Sequence, residues 1–303
     1  MFLCYMSERI HYNNCPVCSS TNIAAALQAK DNTVSKELFT IWQCGNCTLR
    51  FTQNVPDEND IGAYYQSSDY ISHSNTNKGF INKLYHAVRS VTLSSKKNLV
   101  EKYSGKSKGS LLDVGAGTGA FASTMQKNGW NVTALEPDAT ARANAEKDFN
   151  ITLQPSENLF SLKDESFDAI TLWHVLEHVH NLHNYINKFY SLLKEDGVLI
   201  IAVPNYTSYD ANEYESAWAA YDVPRHLYHF SPKSMKTLLG KHKLKLKKYK
   251  PMWFDSYYIS LLSEKYLTGK SNPLKAFISG TISNLHTLKS KQKSSSIIYI
   301  AQK

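Results

Sequence analysis

Four cysteines stand in two pairs, Cys15-Pro16-Val17-Cys18 and Cys44-Gly45-Asn46-Cys47, with positions 19–43 between them. A C-x-x-C turn places two thiolates along one edge of a tetrahedron. Two such turns on neighbouring hairpins supply the four soft ligands that Zn²⁺ takes at about 2.3 Å. The spacer is slightly longer than the roughly 15 to 20 residues usual in zinc sites of this kind. Pro16 and Gly45 have the turn chemistry of such knuckles. With protein at every corner the ion would be structural, leaving no position for a reactive water. Disulfides fit a reducing compartment poorly. A redox dithiol is disfavoured because there are two pairs and no helix N-terminus beside either. The fifth cysteine, Cys4, stands alone.

A second constellation is the run Leu111-Leu112-Asp113-Val114-Gly115-Ala116-Gly117-Thr118-Gly119. Its glycines let the backbone turn sharply and approach a ligand that a Cβ would obstruct. The spacing is G-x-G-x-G, not the G-x-G-x-x-G of nicotinamide and flavin binders. Asp113, just before the loop, suits an ammonium group better than a pyrophosphate. Glu136 falls at the tip of the strand that follows, where a carboxylate can accept both ribose hydroxyls. An adenosine carrying a cationic amino-acid tail meets both requirements, which describes S-adenosylmethionine.

The elements that must position these groups alternate. Strands are expected at 110–114, 131–136, 151–154, 167–172, 197–204, 243–251 and 296–302, and helices at 80–103, 119–128, 139–149, 184–193 and 232–239. Short strands at 39–43 and 49–52 flank the second cysteine pair. The pattern is α/β: a doubly wound, Rossmann-like sheet behind a small N-terminal zinc ribbon, with ligands at the C-terminal strand edges. The expected division is a ribbon over 1–57, a helical connector over 58–108, and a catalytic domain over 109–303. That domain carries a substrate lid at about 205–230 and an apolar, basic insertion at about 252–292.

With 303 residues, 42 % hydrophobic and 20 % charged, the chain excludes wholesale disorder and a fibrous repeat. No run approaches the roughly 18 apolar residues of a membrane span. The opening MFLCYMSERI lacks a basic n-region, so a cytoplasmic protein is expected. The net charge of +8 is unevenly spread. Positions 231–303 hold 15 basic against 2 acidic side chains, and positions 1–230 sum to −5. Such a C-terminal part either meets something anionic (a phosphate-bearing substrate, an acidic lipid surface, nucleic acid) or is a solvated basic surface. Positions 241–250 alternate lysine with other residues, as an edge strand protected by charge would. The insertion, with Trp253, Phe254, Tyr257 and Lys265, Lys270 and Lys275, reads first as a pocket wall. A dimer interface or peripheral membrane contact are its alternatives.

The runs DVGAGTG, ALEPD, SFDAITLWHVLEHV and LLKEDGVLIIAVPN, in this order between Ser110 and Pro204, resemble the class I S-adenosylmethionine-dependent methyltransferases, and most of all the branch with the ubiquinone-biosynthesis-type enzymes. The resemblance implies that Asp113, Gly115, Gly117 and Gly119 line the methionine moiety and that Glu136 holds the ribose. Ser156, Glu157 and Asn158 fall where the family contacts adenine. Trp173 and His174 would border the cofactor, and Tyr64, Tyr65 and Tyr70 would close over it.

Methyl transfer from a sulfonium needs in-line alignment and, for a hydroxyl acceptor, removal of a proton. Two clusters offer the base. One is Trp173 to His178, in which the family's Glu177-His178 pair recurs; His178 would be the base, with Glu177 orienting it or binding a substrate hydroxyl. The other is Tyr221, Asp222, Arg225, His226 and His229 in the lid. Here His226 is a second base, Arg225 could fork onto an anionic group of the substrate, and Tyr221 and His229 would face the acceptor. The expected activity is methyl transfer to a hydroxyl or activated carbon of a sugar, quinone or lipid-linked metabolite. An RNA acceptor gripped by the ribbon and the basic part is the alternative. The ribbon's charge of −2 and the absence of an N/D-P-P-Y/F tetrapeptide after the fourth strand speak against it. A non-catalytic cofactor-binding module is the third reading, and the intact loop opposes it.

Overall fold

A computed structural model of the chain describes residues 9–66 and 80–303. In the N-terminal part Arg9–Ile10 (β1) pairs with Val55–Pro56 (β5). Between them Ile23–Lys30 (β2), Leu38–Cys44 (β3) and Arg50–Thr52 (β4) form an antiparallel meander. Strand β2 was not evident in the sequence, because its alanines and polar residues give little alternation.

Helix α1 (Phe80–Ser104) leads into β6 (Ser110–Val114), α2 (Ala120–Lys127), β7 (Asn131–Leu135), α3 (Ala139–Phe149) and β8 (Phe167–Trp173). Then come α4 (Leu182–Leu192), β9 (Leu193–Pro204), α5 (Tyr209–Tyr214), β10 (Tyr228–His229), α6 (Pro232–Lys241) and β11 (Lys245–Pro251). Helices α7 (Asp255–Thr268) and α8 (Pro273–Lys289) precede the last strand, β12 (Ser296–Gln302).

The main sheet has the order β11-β12-β9-β8-β6-β7. Strands β7, β6, β8 and β9 are parallel; at one end β12 pairs antiparallel with β9, and β11 antiparallel with β12. The central strands are continuous apolar runs, as strands covered on both faces must be. Leu112, Ile170, Leu199 and Ile201 face one apolar cluster, and Leu111, Ala169, Val198 and Ile200 face the other. The strand expected at 151–154 is reduced to a single parallel bridge between Leu135 and Gln154. Pro155 follows at once, and its missing N–H and its restriction on the preceding residue end the ladder.

Strand β10 leaves the methyltransferase-like part and pairs with β4, completing a four-stranded sheet β10-β4-β3-β2. The core follows the sheet: Cys15, Val17, Leu49 and Phe51 share one cluster with Leu112, Leu227 and Phe230. The insertion is a hairpin of two helices: α8 turns its large apolar side chains outward, whereas α7 buries Ile259 in a cluster with Tyr214, Trp218 and Tyr221 of the lid. Leu274 and Leu288 are each 71 % exposed.

Candidate functional site

The site lies at the C-terminal ends of β6, β7 and β8. All three loop glycines have positive φ (68°, 54° and 75° at Gly115, Gly117 and Gly119), which L side chains rarely adopt. A Cβ on Gly115 would clash with the Val175 side chain, and one on Gly119 would meet Ala145 at 2.8 Å. Gly117 faces open space instead. Its amide donates to Glu136 Oε2 at 2.7 Å, while the Asp138 amide donates to Oε1 at 3.0 Å. The Glu136 carboxylate is thereby oriented at the strand tip with lone pairs left over for further donors. Ser156 and Glu157 begin a short 3₁₀ turn close by, since the Glu136 amide donates to the Gln154 carbonyl at 2.9 Å.

Asp113 is buried and accepts from Thr171 Oγ1 at 2.8 Å. Burial pushes its carboxyl up to about 7, against the pull of that hydrogen bond and of the Lys96 ammonium. Lys96, on α1, places its Nζ 4.2 Å from the centre of the Trp173 ring. The Trp173 face thus already carries one cation within the field of the Asp113 carboxylate, and the same pair suits an ammonium or sulfonium.

His174 has a left-handed backbone (φ 59°) that swings the chain off β8. Its ring bridges two carboxylates, with Nε2 at 3.0 Å from Asp255 and Nδ1 at 3.4 Å from Glu177. Although burial opposes the charge, the carboxylates of Asp255 and then Glu177 raise its pKa to about 10, so His174 is a cation at neutral pH. Glu177 is fully buried, and among the described residues neither of its oxygens has a hydrogen-bond donor in good geometry.

Two further histidines stand beside it. His178 Nδ1 lies 3.0 Å from the Arg225 carbonyl and 3.0 Å from Tyr65 Oη. A carbonyl can only accept, so Nδ1 carries the proton and Nε2 keeps its lone pair. His226 repeats the arrangement, with Nδ1 2.8 Å from the Ala220 carbonyl. The two rings meet edge to face at 4.6 Å, and ligating atoms of Glu177, His178 and His226 lie within 4.8 Å of one another. Burial, then the nearness of His226, holds His178 down at about 4.

The remaining lid residues turn inward. Arg225 is 1 % exposed and gives its fork to Asp222 (2.6 and 3.0 Å), Asp31 (3.1 Å) and the Tyr64 carbonyl (2.8 Å). Its guanidinium therefore braces the chain and does not project toward a substrate anion. Tyr221 is buried against Trp218 and His229 and accepts from Arg50. His229 Nε2 sits 3.1 Å from Thr52 Oγ1. Both residues lie between lid and ribbon instead of facing the acceptor side. Tyr64 packs on Phe39, and Tyr70 lies outside the described residues.

The four cysteines converge. Sγ atoms of Cys15 and Cys47, and of Cys18 and Cys44, are 3.5 Å apart, and all four lie within 4.8 Å of one another. Disulfides would need about 2.05 Å, whereas four thiolates about 2.3 Å from a common centre lie about 3.8 Å apart. The donor set fits a structural zinc ion.

A profile described as a methyltransferase domain matches residues 86–248. This chain belongs to the methyltransferase family. The ubiquinone biosynthesis O-methyltransferase of Glaesserella parasuis serovar 5 is 37 % identical over 109 residues, which is 32 % of this chain and 46 % of that protein. The methyltransferase described here thus spans under half of that relative's length. The enzyme of the same description from Rickettsia typhi is 26 % identical over 209 residues, covering 61 % of this chain and 80 % of the relative. Among solved structures, a SAM dependent methyltransferase from Archaeoglobus fulgidus aligns with a TM-score of 0.48 and 20 % identity, covering 71 % of this chain and 94 % of that one.

Three residues of the methyltransferase site escaped the sequence reading: Lys96, Thr171 and Asp255. Asp255 left a signal, because only it and Glu264 are acidic between Ser231 and Lys303. The other two sit in unremarkable helix and strand periodicity.

Proposed function

We propose that the protein transfers a methyl group from S-adenosylmethionine to a hydroxyl or activated carbon of a small metabolite, of the sugar, quinone or lipid-linked kind. The donor, when bound, brings an electrophilic methyl and a neutral leaving group. What is left to the chain is to hold the donor, align the acceptor and take its proton. Asp113 and the Trp173 face would hold the cationic end, Gly117 would admit the donor's backbone-facing side, and Glu136 would hold the ribose. His178 would take the acceptor proton at Nε2, with His226 beside it.

The observation that carries this reading is the pair of imidazoles pinned through Nδ1 to the carbonyls of Arg225 and Ala220, which leaves two Nε2 lone pairs next to the buried Glu177. A hydroxyl or an acidic C–H needs such a base. Zinc at Cys15, Cys18, Cys44 and Cys47 would be structural. Incubating the protein with labelled donor and a small-molecule extract tests the reading. Label should appear in a metabolite heavier by one CH₂. Label found only in RNA would overturn it.

A further inference from the structure

Helix α8 is packed inside out against α7. The positions they bury are Ser256, Ile259, Ser260, Ser263 and Glu264 on α7, and small residues from Ala276 to Thr287 on α8. The helices approach closely at Gly280, where a Cβ would meet the Tyr257 ring at 2.7 Å. Outward on α8 stand Leu274, Phe277, Ile278, Leu285 and Leu288, between 50 % and 71 % exposed. At about 100° per residue these five share one face, opposite the buried small residues. A helix facing water shows the reverse distribution, and a large exposed apolar patch marks an interaction surface.

Charge decides what the surface meets. Both acids between Ser231 and Lys303 are engaged internally: Glu264 is buried and pairs with Lys275 at 3.1 Å, and Asp255 pairs with His174 at 3.0 Å. Beyond the end of the apolar stripe, Lys289 and Lys291 face Lys247 and Lys248 of β11 across a groove that Leu288 borders. A second copy of this face would set lysines against lysines, and nucleic acid gives a leucine stripe nothing to bury against. A bilayer with anionic headgroups matches both parts, hydrocarbon for the stripe and phosphate for the groove. Among the described residues no helix is long and apolar enough to cross a membrane, so the contact is one of lying on the surface.

We propose that α8 lies in the interface of an anionic membrane, with Leu274, Phe277, Ile278, Leu285 and Leu288 in the acyl boundary and the four-lysine groove on lipid phosphates. The inference does not depend on which acceptor the site takes. Flotation of the full chain with vesicles of phosphatidylcholine, with and without phosphatidylglycerol, tests it without any turnover. The chain should float with the anionic vesicles. Flotation should fall at least about tenfold in the double variant Leu274→Ser/Phe277→Ser, and likewise in Lys289→Glu/Lys291→Glu, with donor binding kept in both. A folded wild-type chain that floats with neither vesicle overturns the proposal. So does a Leu274→Ser/Phe277→Ser variant that converts a dimer to monomers without changing flotation.

Discussion

Arg225 on the lid and Asp31 on the ribbon form a buried ion pair, Nη2 to Oδ1 at 3.1 Å, across 194 positions of sequence. The Asp31 carboxylate also accepts from the amides and hydroxyls of Thr33 and Ser35. Although burial opposes its charge, those backbone hydrogen bonds, with Arg225 behind them, keep it well below the usual carboxylate range. Removing one partner of a buried pair costs about 3 to 5 kcal/mol, and here Asp222 stays to share the load. Asp31→Leu should therefore lower stability by about 3 kcal/mol. It should also slow turnover, because the Arg225 carbonyl orients His178. Thermal unfolding and donor titration check this: the melting temperature should fall while donor affinity stays within about twofold.

Glu136 offers a sharper test of the donor site. Charge-assisted hydrogen bonds contribute about 1.5 to 3 kcal/mol, so Glu136→Ala should weaken binding of S-adenosylmethionine and its demethylated product by about ten- to a hundredfold. Calorimetry reads this directly, and unchanged affinity would remove the ribose assignment.

If Asp113 holds the donor's cationic end as proposed, donor binding depends on pH. A group pushed up to about 7 is partly protonated at neutrality, and only its ionised form attracts a cation. Donor affinity should be level above about pH 8 and fall as pH drops through 7, approaching tenfold per unit, with proton release on binding near neutrality. In Asp113→Asn the dependence should vanish.

For the base, the acid limb is displaced downward from that of an ordinary histidine. With its pKa held down at about 4, His178 stays unprotonated through the range where a free imidazole would titrate, near 6.5. The acid limb of kcat should then lie well below 6.5. His178→Asn should lower kcat by about 10²- to 10⁴-fold while leaving donor affinity unchanged. An acid limb and turnover that persist unchanged in His178→Asn would assign the base elsewhere.

How much of this was legible beforehand differs by element. The loop around Gly117 and the acid at Glu136 could be read because short-range spacing alone fixes them to one strand edge. The central strands announced themselves as apolar runs. The lid misled for a physical reason: Arg225, Tyr221 and His229 are the residue types of a binding surface, yet here they satisfy one another and the ribbon. Only tertiary contact with Asp31, Arg50 and Thr52 shows that.

Metal removal should report on both halves of the molecule. Stripping the cysteine cluster, or replacing Cys44 with Ser, should lower the melting temperature. It should also reduce turnover, because Thr52 on β4 donates to the His226 carbonyl at 2.8 Å. One equivalent of zinc by elemental measurement should accompany the folded state. Full turnover in a zinc-free, folded protein would contradict this coupling.

The strand Tyr228–His229 has a wider consequence. It is the outermost member of the ribbon's sheet, although it is encoded far downstream of the strand it joins, with the whole glycine loop and the parallel strands in between. Cutting the gene near codon 57 would strip that strand of β4, its hydrogen-bonding neighbour in the sheet, and bare Leu227 and Phe230. The two halves therefore cannot be swapped between homologues as cassettes: a transplanted front end must bring a matching edge for Tyr228 and His229, or the rear will not close.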